Sequence, residues 1–191
     1  CRGKEVKGER GRKYVTKLQR SDFSAENEVL VGNLIRRAKD NERLLLYNFA
    51  PVLHSCKAGT SVLHSIGSKC TALRKKAPST FMLMKVRYID SMDLDSFIIQ
   101  NNNSSFILST LIASFNHLLK SIRQLIKLKI VHNDIKGQNV IYDKDKALPI
   151  IIDFGLSIPM TKVTSDSLYN YFYIYAPEYY IWPLEVHFLN L

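Results

Sequence analysis

The tightest constraint on this 191-residue chain is a pair of polar loops, each entered from a short apolar run. Residues 130–139 read Ile-Val-His-Asn-Asp-Ile-Lys-Gly-Gln-Asn, and residues 150–155 read Ile-Ile-Ile-Asp-Phe-Gly. Short pieces around Ile130, at residues 140–142 and at residues 150–152 read as strands. The loops between them therefore gather two carboxylates, a lysine and an asparagine.

Around these loops the chain divides into a first part with strand signals and a second part with one long helix. Residues 14–18 alternate and predict a strand. Ser21 or Ser24 can cap a helix running to about Lys39, with Val31, Leu34, Ile35 and Ala38 at helical spacing and Glu28 on the edge of that face. Residues 44–52 and 81–89 read as strands. Between them, residues 53–80 carry five basic residues and no acid, and read as an insertion or long loop. The acidic connector at residues 90–95 marks a boundary between two lobes. Beyond it, residues 106–127 repeat Ile107, Leu111, Phe115, Leu118, Ile122 and Leu125 at three- and four-residue steps, the pattern of a core helix.

The polar loops suit one chemistry. Phosphoryl transfer from a magnesium nucleotide wants oxygen ligands for a hard cation, a positive charge near the transferred group, and an acceptor that orients the attacking hydroxyl. Asp153 and Asn139 can supply the first, Lys136 the second and Asp134 the third. Each alone would pass for an ordinary turn residue or cap.

These stretches resemble the eukaryotic-type protein kinases, whose catalytic loop, metal-binding turn and activation-segment end read H-R-D-x-K-x-x-N, D-F-G and A-P-E. Here they stand as His132-Asn133-Asp134-Ile135-Lys136-Gly137-Gln138-Asn139, Asp153-Phe154-Gly155 and Ala176-Pro177-Glu178. Order and spacing fit, with 14 residues from Asn139 to Asp153 and 25 from Asp153 to Glu178. The resemblance implies a two-lobed α+β fold: a small β-rich nucleotide-binding lobe over residues 1–89, carrying the basic insertion at about 53–80, and a mainly helical, incomplete lobe over residues 90–191. It also implies ATP and Mg2+ as cofactors and protein hydroxyls as acceptors. Asp134 then corresponds to the catalytic base, Lys136 to the γ-phosphate contact, and Asn139 and Asp153 to the magnesium ligands.

Tyr14-Val15-Thr16-Lys17 is similar to the family's V-A-I-K strand. That nominates Lys17 for the α- and β-phosphates, Glu28 rather than Glu26 as its partner, and Val15 against the adenine with Ile141 beneath it. Residues 84–89 resemble the strand entering the kinase hinge, with Val86 as gatekeeper and Tyr88 and Ile89 where backbone groups bond the adenine edge. Asp93 falls where the family often keeps an acid near the ribose, and suits a solvated turn equally well. Lys136 is the serine/threonine-kinase form of the loop.

The resemblance has gaps. Only Gly3, Gly8 and Gly11 precede Lys17, and none forms G-x-G-x-x-G. Asn133 stands where many kinases carry the arginine that grips an activation-loop phosphate, although Thr161, Thr164, Ser165, Ser167 and Tyr169 crowd that segment. Residues 179–191, together with His-Asn-Asp, resemble the divergent serine/threonine kinases of large cytoplasmic DNA viruses. The expectation is a chain truncated at both ends, a fragment or a decayed copy.

Lys plus Arg number 27 against 17 Asp plus Glu, a formal net charge of +10, and the excess falls wholly in residues 1–80, which hold 17 basic and 7 acidic side chains. On a lobe that handles a polyanionic nucleotide, this charge leaves nucleic acid as a less favoured partner. Cys1, Cys56 and Cys70 are too few for a disulfide framework and point to a reducing setting: the cytoplasm, or the host cytoplasm or virion of a virus. No run approaches the roughly 18 apolar residues of a membrane span. His54, Cys56, His64 and Cys70 fit no usual zinc spacing. Lys120, Arg123, Lys127 and Lys129 read as the solvated face of the long helix. Two rival readings remain beside the kinase: a catalytically impaired pseudokinase scaffold, and a tRNA-modification-linked kinase or ATPase similar to that of the KEOPS complex, which shares the pattern of residues 152–157. Oligomeric state is left open.

Overall fold

The computed structural model describes residues 6–7, 13–59, 80–174 and 176–190. Cys1, Gly3, Gly8, Gly11, His64, Cys70 and residues 60–79 of the expected insertion lie outside the described residues.

Strands β2 (Lys13–Arg20) and β4 (Thr80–Arg87) pair antiparallel, from Tyr14 opposite Arg87 to Arg20 opposite Phe81. β3 (Val52–Gly59) covers the other edge of β4, with an irregularity between Val52 and His54. β1 (Val6–Lys7) adds to β2, so the sheet order is β1-β2-β4-β3. The register sets Lys17 across from Met84 and Val15 across from Val86. Residues two apart on a strand share a face, so Val15 and Lys17 project together.

Helix α1 (Phe23–Arg36) packs on this sheet. Its N-cap is Asp22, whose carboxylate accepts from the Ala25 N–H at 3.0 Å. This corrects the expected Ser21 or Ser24 cap: Asp is as good a cap as Ser and stands one residue before the first helical position. The helix also stops at Arg36, short of Lys39. Gly32 is where α1 comes closest to β3, since a β-carbon there would run into the Val52 carbonyl.

Two further expectations are corrected. Residues 44–52 do not form one strand: helix α2 (Asn41–Tyr47) takes the leucines, and β3 begins only at Val52. No β-branched residue occurs from Leu44 to Pro51, and leucine is a strong helix former. β3 then runs to Gly59, so residues 53–59 belong to the sheet and not to a loop. Its polar side chains hide it, because an edge strand is held by backbone pairing rather than by a buried face.

The later part of the chain is helical with small strand pairs. In order come β5 (Met92–Asp93), α3 (Leu94–Asn101), α4 (Ile107–Lys127), β6 (Ile130–Val131), β7 (Val140–Asp143), β8 (Leu148–Ile151), β9 (Ile158–Pro159), α5 (Ser165–Phe172) and α6 (Leu184–Phe188). β7 is the middle strand between β5 and β8, and β6 pairs with β9. The fold is thus α+β, with a β-rich N-terminal region and a helical later part.

α4 turns the expected stripe toward the core, with Leu125 in the core cluster and Leu118 packed against it, and only Phe115 of the six expected positions is exposed. It buries Ser114, Ser121 and Leu125, while Phe115 stays 63% exposed. The buried serine on this stripe is satisfied: the Ser121 hydroxyl accepts from Asn48 Nδ2 at 2.9 Å and donates to the His117 carbonyl at 3.0 Å. Lys120, Arg123, Lys127 and Lys129 are exposed, as a solvated face requires.

One core joins the two parts. Val31 and Ile35 of α1 meet Leu44, Phe49, Leu125, Ile130, Ile151 and Phe154 in a single buried cluster. Each such side chain contributes about 1.5–3 kcal/mol by leaving water. A smaller cluster of Ala25, Val52, Met82 and Met84 fills the space between α1 and the sheet.

Candidate active site

The loop between β6 and β7 is shaped by its own side chains. Asp134 is buried, and Asn139 Nδ2 donates both to its carbonyl, at 3.0 Å, and to its Oδ2, at 2.7 Å. Lys136 Nζ lies 2.9 Å from Asp134 Oδ1. Burial alone would depress the Lys136 ammonium, but the bond to Asp134 outweighs it and holds the pKa above the ordinary lysine value. Asn133 has a φ of 63°, the left-handed region that non-glycine residues seldom occupy.

The turn after β8 is tied to that loop. The Ile152 N–H donates to the Asn139 carbonyl at 2.9 Å, and His132 Nε2 bonds the Ile152 carbonyl at 3.1 Å. His132 is buried, which lowers its pKa and favours the neutral ring, and among the described residues its Nδ1 has no partner. Asp153 has a φ of 61°, so strained backbone brackets the cluster on both sides. Phe154 is fully buried, its ring centroid 4.9 Å from that of His132 and 6.0 Å from that of Phe49. Anchoring Phe154 in the core turns Asp153 out of it, and the Asp153 side chain is 45% exposed.

Lys17 reaches this turn from β2. Its Nζ lies 2.7 Å from Glu28 Oε2 on α1 and 3.6 Å from Asp153 Oδ1. Burial would lower the Lys17 pKa, but Glu28 and then Asp153 outweigh it and raise the value. Glu28 is itself buried, and loss of hydration pushes its carboxyl above the ordinary 4.5 in spite of Lys17.

The structure therefore brings Lys17, Glu28 and Asp153 together, and Asp134, Lys136 and Asn139 together, with the Ile152–Asn139 bond linking the two groups. Val15 and Val86 are half-buried neighbours on the Lys17 face of the sheet. Ile141 lies on β7 opposite Ile150. The Tyr88 N–H donates to the Lys13 carbonyl at 3.1 Å and the Ile89 carbonyl accepts from Ser91 at 3.0 Å, so both groups are engaged within the chain. Asp93 caps α3, accepting from the Ser96 N–H at 2.9 Å and the Ser96 hydroxyl at 2.8 Å, and these bonds hold its pKa below the ordinary carboxylate range.

Three contributors escaped the sequence reading. Asn27 is buried and donates to the Gly155 and Ser157 carbonyls at 3.1 and 2.6 Å. Its signal was an asparagine four residues before Val31, on the apolar face of α1. Tyr179 donates its hydroxyl to Asp134 Oδ1, and Trp182 Nε1 donates to the Asn133 carbonyl at 3.0 Å. No local pattern announces either one, because both fold back from beyond A-P-E. Burial and the Asp134 bond keep the Tyr179 phenol protonated well into the alkaline range.

Among the described residues no trio of His, Cys, Asp and Glu could hold a metal, and no helix is long and apolar enough to cross a membrane. His54 and Cys56 are exposed on β3. A cavity of about 630 Å³ lies between α2 and α4, lined by Arg43, His117 and Lys120 among others, and touches none of the clustered residues.

A cluster of this form, on an α+β scaffold, belongs to a known class. The protein kinase domain family matches residues 60–181, well over half of the chain, and the chain belongs to that family. It is similar to mitogen-activated protein kinase kinase kinase 8 of Rattus norvegicus, with 41% identity over 46 residues, which are 24% of this chain and 9% of that protein. The match thus spans less than a tenth of the relative. Lys17 and Glu28 precede the matched residues.

Proposed function

We propose that this chain is a serine/threonine protein kinase that uses magnesium ATP. The observation that carries the reading is the Lys17 ammonium, which reaches both the α1 carboxylate Glu28 and the Asp153 carboxylate beside the catalytic loop. Magnesium ATP, when bound, supplies the phosphoryl group and the cation that neutralises its charge.

The donor set fits that ion. Asn139 commits its amide nitrogen to Asp134, which leaves the amide oxygen as a ligand, and Asp153 presents a part-exposed carboxylate; both are the hard oxygen donors magnesium prefers. Lys17, oriented by Glu28, would hold the α- and β-phosphates. Val15, Val86 and Ile141 would enclose the adenine beside the hinge residues Tyr88 and Ile89. Asp134 would orient the acceptor hydroxyl and take its proton, and Lys136 would hold negative charge developing on the transferred group. In this reading residues 1–89 form the nucleotide lobe and residues 90–191 the catalytic lobe. Lys136, the serine/threonine form of the loop, carries the specificity assignment.

The purified chain, given magnesium ATP and a generic basic acceptor protein, should label serine and threonine. Asp134→Asn should lower kcat by about 10²–10⁴-fold. Asp153→Ala should abolish turnover and weaken magnesium dependence, while both variants keep the wild-type circular dichroism. A folded wild type that binds nucleotide yet labels nothing overturns the reading in favour of a scaffold.

A further inference from the structure

The candidate base already holds a hydroxyl. Tyr179 donates to Asp134 Oδ1 and accepts from Lys136 Nζ at 3.1 Å, the two groups an acceptor hydroxyl would meet in the proposed reaction. Its position is fixed from several sides. Lys136 Nζ lies over the Tyr179 ring, 5.1 Å from the centroid. The other side of the contact is Trp182, with centroids 4.9 Å apart and planes tilted by 59°. Trp182 is buried, and its indole N–H is the donor to the Asn133 carbonyl inside the catalytic loop. Backbone bonds from the Tyr179 N–H to the Ala176 carbonyl, at 3.0 Å, and from the Trp182 N–H to the Tyr179 carbonyl, at 3.2 Å, complete a short turn that folds residues 176–182 back onto the loop.

A packing role alone would be met by phenylalanine. What the hydroxyl adds is an O–H donated to Asp134 and a lone pair beside Lys136, held before any partner arrives, which is the arrangement that proximity makes reactive.

We propose that Tyr179 is an intramolecular phosphoacceptor, modified by its own chain when magnesium ATP binds. This rests on the kinase reading above. Tyr179 Oη forms a bond to the γ-phosphorus as the bond from that phosphorus to the β,γ-bridging oxygen breaks. ADP leaves with the electron pair, and the phenolic proton passes to the Asp134 carboxylate along the existing hydrogen bond. The product carries close to two negative charges beside Asp134, so repulsion expels the modified ring and draws Trp182 off Asn133. The reaction runs once per molecule and clears the seat for an external hydroxyl. Tethering explains how a tyrosine serves a loop of serine/threonine form: backbone, rather than a substrate groove, delivers the hydroxyl.

The test uses the full chain with magnesium ATP, phosphosite mapping by mass spectrometry, and a generic basic acceptor protein assayed in parallel. The expected result is phosphate on Tyr179, appearing at a rate per molecule that does not change on dilution, and a lag in acceptor labelling that Tyr179→Phe removes. A second readout needs no nucleotide in the cuvette. Trp182 is the sole tryptophan, so acrylamide quenching of its fluorescence should be weak in the unmodified protein and stronger in Tyr179→Ala and in phosphorylated protein freed of nucleotide. Acceptor labelling with no phosphate on Tyr179, or labelling of Tyr179 that accelerates with protein concentration, overturns this inference and leaves the kinase reading intact. Absence of phosphate on both overturns the two together.

Discussion

Glu28 is the side chain whose environment demands most of its partner. It is 3% exposed, and among the described residues only Lys17 compensates its charge within hydrogen-bonding distance. Replacing Lys17 by methionine keeps the packing of the stem and strands the carboxylate. The expected loss is about 2 kcal/mol at neutral pH, below the 3–5 kcal/mol of a wholly buried pair because Lys17 keeps part of its side chain in water. The pH dependence has a definite sign. Glu28 has a folded-state pKa raised above its unfolded value, so burial of the neutral form costs little and burial of the charged form costs much. Stability tied to Glu28 is therefore retained below pH 4.5 and lost as pH rises through the folded pKa. In Lys17→Met that penalty deepens, so the gap in urea midpoint between wild type and variant should be wide at pH 7 and close as pH falls toward 4. A gap that widens on acidification would refute the assignment of Glu28 as the stranded charge. Adding Glu28→Gln should recover most of the loss. That Asp134, Lys136, Asn139 and Asp153 gather on neighbouring loops was legible from the sequence, because residue type and spacing carry it. Tyr179 was not, because its role exists only through a tertiary contact 45 residues away from its partner.

Elements were legible where one periodicity dominates and illegible where two interpretations share a composition. α1 and α4 repeat at helical spacing over several turns, and β2 and β4 are rich in residues that suit a pleated sheet. Residues 44–52 are apolar without period, and such a run does not separate helix from strand until its neighbours are placed. In α4 the hydrophobic count alone put Phe115 inward, whereas Ser114 and Ser121 take buried places on the stripe and Asn48 satisfies Ser121. The approach of α1 to β3 follows a similar rule of particular contacts. Gly32→Ala would gain about 1 kcal/mol of helix propensity. It would also drive a β-carbon into the Val52 carbonyl, a backbone atom held in the sheet and unable to rotate away. Overpacking of that kind costs about 1–3 kcal/mol, so the expected net change is destabilising, with a lower urea midpoint at unchanged m-value. Gly59→Ala at the end of β3 is the matched control. Among the described residues a β-carbon there meets nothing within 4 Å, and stability should change by less than about 0.5 kcal/mol.

At the scale of the whole molecule, α1 is the part that touches both the sheet and the segment after Asp153. Consecutive helical residues point about 100° apart, so Asn27 and Glu28 address different neighbours from one turn. Glu28 turns to Lys17 on β2, and Asn27 turns to the segment after Asp153. Its amide nitrogen serves Gly155 and Ser157, and its amide oxygen accepts from the Tyr171 hydroxyl at 3.1 Å. Tyr171 in turn packs edge-on against Phe23 at the start of α1, with centroids 5.1 Å apart. One asparagine thereby holds residues 155–157 and α5 against the helix that carries Glu28. Asn27→Leu preserves volume and helix propensity but leaves two buried carbonyls and a phenol without partners, at about 1–3 kcal/mol for each group that water cannot reach. The damage should be local in a recognisable way. Amides at residues 155–157 and along α5 should exchange hydrogen faster, while those of β2 and β4, which α1 still covers through Ala25 and Val29, should keep wild-type protection. Phosphotransfer should fall even though Lys17, Glu28, Asp134 and Asp153 are all present, because the Asp153 turn is no longer held at its distance from Lys17. Uniform acceleration across the sheet and α5 would mean instead that Asn27 stabilises the fold as a whole and does not specifically tie α1 to the segment after Asp153.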